Sequence, residues 1–267
     1  MAAFSDKMGH MLQEPESLPP PGTRVALAIG APLIGAIILS TLLATLLGDR
    51  PGQDPAGTAS TALILGWVGI ISWLIGLRWY GRDGLGLRGK RPLYASIGFA
   101  VMGWVAIMLV RVILVASNPE KLIADGFGRT FLYLLVFEAF CVQLWLFGLV
   151  FRSIADWRGP LTAAITSGII FGAVAHQFFQ ESYITGWSAI LAFMAWGVFY
   201  GLIRLRTGSF LGIALVQAMQ TLTTWYILLP QDPPAIDQLQ NFYLVSSALL
   251  VIFMWRLWPK TEEDYRV

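Results

Sequence analysis

Five polar side chains interrupt otherwise apolar runs of this sequence: Glu138, Gln143, His176, Gln217 and Gln220. A carboxylate such as Glu138 can take a proton from water, and a histidine can act as a base or ligate a metal or a pigment. A glutamine amide can do neither; it can only donate and accept hydrogen bonds. Glu138, Gln143 and His176 fall in the stretch FEAFCVQLWLFGLVFRSIADWRGPLTAAITSGIIFGAVAH, and the other two in GLIRLRTGSFLGIALVQAMQT. Each has a plain structural reading beside the chemical one. Glu138 can be protonated and hydrogen-bonded to a neighbouring helix. His176 can bond across helices, and Gln143 and Gln217, at similar depths, can pair as interhelical glue.

The elements that carry these residues follow from composition. Hydrophobic residues make up 56% of the chain and charged ones only 13%, about half the charge of a soluble domain. Apolar runs of roughly 20 residues, long enough to cross a bilayer core, recur at about 25–47, 61–80, 93–115, 129–151, 160–179, 186–203, 209–229 and 241–258. The expected fold is all-α, a bundle of about eight transmembrane helices over residues 25–258. Flanking it are a polar amino-terminal tail at 1–24, expected to be flexible, and a short tail at 259–267. The turn-rich loop Gly48–Ser60 joins the first two spans.

With both termini on one side, that side carries 14 Lys and Arg residues and the other only Arg50, Lys121 and Arg129. Both termini are therefore expected in the cytoplasm of a bacterial inner membrane. The basic loop Tyr80–Pro92 sets topology and can meet anionic headgroups. Arg111, four residues from the outer end of its span, is expected to snorkel. Trp79, Trp157, Trp255 and Trp258 mark span ends; Trp67, Trp73, Trp104, Trp145 and Trp196 read as packing residues. The single cysteine, Cys141, excludes an intrachain disulfide. Nothing points to nucleic acid.

The hairpin Glu138–His176 together with Gly-Leu-Ile-Arg-Leu-Arg-Thr-Gly-Ser at 201–209 resembles the CAAX-protease and bacteriocin-processing family of intramembrane proteases, over about Glu138–Thr224. The resemblance implies a CPBP-like helical core at about 129–229. It also implies a site in which a first glutamate activates water to attack a peptide bond, assisted by histidines and an asparagine, with or without a metal. The family's glutamate pair falls on Gln143 and Leu144. Phe147 and Gly148 match the aromatic and glycine that follow, without the arginine. Gly159-Pro160, Ser167 and Phe171 fit the connecting pattern. The first histidine falls on His176 or, one residue earlier, on Ala175; the second falls on Gln217 and the asparagine on Thr221. A neutral amide cannot replace the carboxylate base, and these residues do not make a three-ligand zinc site. No metal is therefore expected at these positions.

Three functions are open at this level. One is a CPBP-like protein without proteolysis that serves as a binding or scaffold subunit, partnered by lipids and another integral membrane protein. A second is a divergent endopeptidase using Glu138 and His176. Against it, an α-helix puts Glu138 about 140° round from Gln143, and a fourth span ending near 151 leaves His176 some seven residues deeper than Gln143. The third is a transport subunit, or one holding a pigment or metal such as haem at His176.

Overall fold

The structure, a computed structural model, describes residues 18–47, 59–115, 127–178, 186–223 and 235–266. Residues 48–58 of the expected loop Gly48–Ser60, the start of the amino-terminal tail and the end of the seventh span lie outside them, and the last two residues of that loop, Ala59 and Ser60, are helical. The described residues are all helical apart from turns and connections. The helices are α1 (Pro21–Leu47), α2 (Ala59–Gly84), α3 (Leu93–Leu114), α4 (Gly128–Arg158), α5 (Pro160–Phe178), α6 (Trp187–Thr207), α7 (Leu211–Thr221) and α8 (Ile236–Leu257). All but α5 and α7 are long and apolar enough to cross a membrane. The chain is an integral membrane protein built as a helical bundle.

α4 and α6 are the most enclosed spans, whereas α1, α3 and α8 turn most of their surface outward. Ile34, Ile37, Ile38, Leu109, Ile113, Val251 and Ile252 are exposed on those outer helices, as expected where lipid replaces water. The most extensive helix pair is α5 on α6. Its contact line is made of small residues: a Cβ on Gly197 would strike the Gly168 backbone, and one on Gly201 would strike Ala164. Without a hydrophobic drive between helices, such close backbone approach is what holds them together.

Three boundaries differ from expectation, with consequences for the site. α1 begins at Pro21, inside the segment read as a tail. α4 continues to Arg158, seven residues beyond the expected end. Its polar last turn is compensated: Asp156 pairs with Arg24 at 2.9 Å and Arg152 at 3.2 Å, and Ser153 bonds Tyr80 at 3.0 Å. α8 begins at Ile236, so Phe242 covers the end of α3. Arg111 is consequently 1% exposed, with its guanidinium 5.9 Å from the Phe242 ring centroid, rather than snorkelling.

The carboxyl-terminal segment is folded back as a strap across the ends of the bundle. Asp264 accepts the backbone N–H of Lys260 at 2.8 Å and Thr261 at 3.3 Å and pairs with Arg206. Arg266 N–H bonds the Leu205 carbonyl at 2.9 Å. The Lys260 and Thr261 amides, with Arg206, hold the Asp264 carboxyl below its ordinary range. The strap contact is therefore fully formed above the usual carboxylate range and is lost as pH falls through the lowered value.

The small-residue seam is testable. Gly197→Val is expected to lower stability by about 3 kcal/mol or more, at the upper end of overpacking costs. Gly98→Ala, where a Cβ meets nothing within 4 Å, should be silent. Thermal unfolding in a mild detergent measures both.

Candidate functional site

Two of the residues singled out from the sequence, Gln143 and Gln217, meet where α4 packs on α7. α4 is not a plain α-helix there: Leu134–Cys141 and Leu144–Val150 are π-helical. Such i→i+5 turns are rare and frequent at functional sites. Leu134 and Ala139, five apart, both pack into one cluster with Ala214 and Ala218 of α7 and Leu222 just after it. Gln143 lies next along this face. Its Nε2 donates to Oε1 of Gln217, joining α4 to α7. Both glutamines are buried, at 0% and 2% exposure. The two positions that resemble a glutamate and a histidine of the protease pattern are thus brought together as a neutral amide pair.

Around the pair the enclosure is tight. Leu144, Trp145 and Phe147 are buried. The Phe147 ring lies 5.8 Å from Phe171 on α5 and 6.5 Å from Tyr200 on α6. Gly148 sits against the loop after α2, where a Cβ would come within 3.3 Å of the Leu85 carbonyl. Thr221 is buried one turn beyond Gln217. Gln220, also buried, accepts a 3.4 Å bond from Tyr200.

Glu138 is buried in the first π-helical stretch. Residues five apart come toward alignment along a π-helix. The separation of Glu138 from Gln143 around α4 is therefore smaller than the α-helical 140°. The depth mismatch of His176 also disappears. Gln143 is fifteen residues from the end of α4 at Arg158, and His176 is sixteen from the start of α5 at Pro160. The Phe147–Phe171 contact gives the same register, since Gln143 and Ala175 each lie four residues further along. Ala175 thus occupies the α5 face that meets α4, buried at 2%, while the His176 ring stands edge-on to Phe193 of α6, 6.4 Å away.

One residue with a clear role entered the sequence reading only through the charge count and the 201–209 motif. Arg204 is buried in the last turn of α6. Its Nε donates to the Phe147 carbonyl at 3.0 Å, and its guanidinium lies 5.0 Å from the Phe151 ring centroid. It ties α6 to the π-helical stretch of α4. Its spacing from Tyr200, one helical turn, was the available signal. Among the described residues, no group of three or more His, Cys, Asp or Glu side chains is placed to hold a metal. The amide pair itself does not fit one.

The amide pair has a testable signature. Gln143→Leu or Gln217→Leu alone strands a buried amide and should cost about 1–3 kcal/mol, whereas the double substitution should cost much less than the sum. Unfolding of the four proteins in detergent measures the coupling.

Comparison with known proteins bears on the same region. No curated protein matches the chain. A family model does match, that of Rce1-like type II CAAX prenyl endopeptidases. It covers less than half of the 267 residues, but they include α4, α5, α6 and α7. Residues 124–223 are therefore similar to the Rce1-like type II CAAX prenyl endopeptidase family, in agreement with the resemblance carried by the motifs.

Proposed function

We propose that this protein is a non-hydrolytic relative of the CAAX-type intramembrane proteases that acts as a binding or scaffold subunit of a membrane complex. The observation that carries the reading is the Gln143–Gln217 hydrogen bond. Hydrolysis needs a group that takes a proton from water, and an amide has no basicity to offer. One amide donates to the other in a buried seam, with the Gln143 Oε1 left over, so the positions that would hold a nucleophilic water instead fasten two helices. With Ala175 on the face that meets α4, the α5 position nearest the pair also carries no base. The partner is another integral membrane protein, packed on the outer aromatic and aliphatic faces, and lipids fill the remainder. The arginine-rich end, with both termini, faces the cytoplasm of a bacterial inner membrane, as the charge asymmetry supports.

A second reading, a divergent endopeptidase using Glu138 and His176, is favoured by two observations. The π-helix turns Glu138 toward the Gln143 side, and the full length of α4 puts His176 at its depth. It requires His176 to leave Phe193 and turn toward α4.

Native mass spectrometry of the protein extracted in mild detergent separates the two. The subunit reading predicts co-purification with a second membrane protein at fixed stoichiometry, unchanged by Glu138→Gln or His176→Ala. A lone chain that cleaves a prenylated peptide, with cleavage abolished by either substitution, would establish the endopeptidase instead.

A further inference from the structure

The strap at the arginine-rich end is bound in a manner that does not depend on its being part of the same chain. Three segments make its seat: the loop from Leu85 to Arg91, the turn Thr207–Phe210, and the last turn of α6. They are already fastened to one another, by Arg91 N–H on the Thr207 carbonyl at 3.2 Å and Phe210 N–H on the Gly86 carbonyl at 3.3 Å. The seat presents two polar features to the strap. One is the Leu205 carbonyl, among the last carbonyls of a helix, which have no intrahelical partner. The other is the Arg206 guanidinium. Arg266 N–H takes the first and the Asp264 carboxylate the second. Gly208, at φ 76°, lets the strap backbone come close: a Cβ there would lie 2.7 Å from the Arg266 carbonyl oxygen. Tyr265 between them is partly buried against the core.

The recognition elements are thus an acidic side chain, an aromatic, and a backbone N–H two residues after the acid. Any extended peptide with that order presents the same groups.

We infer that residues 260–266 occupy in cis a peptide-docking groove, and that an acidic-aromatic segment of a protein partner takes it in trans. The occupant is fixed by charge: Arg206 is satisfied by a carboxylate, and the groove contributes no acid of its own to that contact. The hold on the strap is light: one partly exposed ion pair and one main-chain bond to the seat, both weak contributors, and the half-buried Tyr265 ring. What retains it is the tether, which gives the strap an effective concentration in the millimolar range. A partner segment held beside the protein in the same membrane gains the same advantage and can exchange with it. The seat includes the turn from which α7, the helix that carries Gln217, sets out. The inference rests on the subunit reading only for the existence of a partner.

The test uses the full chain with Asp264→Arg, which releases the strap and leaves Arg206 in place, and a fluorescein-labelled peptide of residues 258–266. Fluorescence anisotropy in mild detergent should show saturable binding to this variant at least tenfold tighter than to the wild type. Tyr265→Gly, which loosens the strap without altering charge, should show the same order and guards against misfolding of the first variant. Binding should vanish with Arg206→Glu in either background, and with a peptide carrying arginine at the Asp264 position. Equal binding to wild type and released variants, or none to either variant, would overturn the groove. A co-purifying partner that the peptide fails to displace would sink the trans exchange and leave the subunit reading standing. Proteolytic activity with normal peptide binding would do the reverse.

Discussion

The hydrogen bond between Gln143 and Gln217 is the contact on which the centre of this protein turns. In the hydrocarbon interior a polar side chain has no water to fall back on, so it must find a partner within the bundle. Two glutamines achieve this with neutral groups: neither has to be held ionised in a medium of low dielectric. The pair fixes α7, eleven residues long, against α4, while Gln220 on the same helix bonds Tyr200 of α6. The bond takes up one donor, the Gln143 Nε2, and one acceptor, the Gln217 Oε1.

Around that pair, two other constraints set the geometry. The α5–α6 seam is narrow because Gly168, Gly172, Gly197 and Gly201 let the backbones touch. That closeness presses Phe171 and Tyr200 onto Phe147. The π-helical course of α4 shifts its backbone groups out of the usual register, and Arg204 bonds the carbonyl of Phe147 within it. A guanidinium in this position needs no carboxylate to hold α6 to α4. It is supported by a carbonyl and by the face of Phe151, arrangements that arginine's delocalised charge tolerates better than lysine's.

Much of this was legible in advance. Apolar run lengths pointed to an all-helical membrane bundle, and eight such helices stand among the described residues, six of them long and apolar enough to cross a membrane. Equal distances to the expected ends suggested that Gln143 and Gln217 could meet; they do, although the observed ends, Arg158 and Leu211, lie fifteen and six residues away. What escaped had physical reasons. The last turn of α4 carries Arg152, Ser153, Asp156 and Arg158 and looks like a loop until Arg24 and Tyr80, remote in sequence, satisfy it. That error alone displaced His176 in depth. A π-helix has no periodic signature in composition, so the angular relation of Glu138 to Gln143 could not be read. Arg111 and Arg204 looked exposed because burial of a cation depends on neighbours such as Phe242 and Phe151, which only the tertiary fold brings near.

The central claim is that the seam between α4 and α7 does no hydrolysis. Its most direct test is to reconstitute the purified protein in lipid nanodiscs with a prenylated CAAX-type peptide and follow the peptide by mass spectrometry over a long incubation. The account predicts an intact peptide, at the level of empty nanodiscs. Release of the carboxyl-terminal fragment above that level, lost on Glu138→Gln, would contradict it.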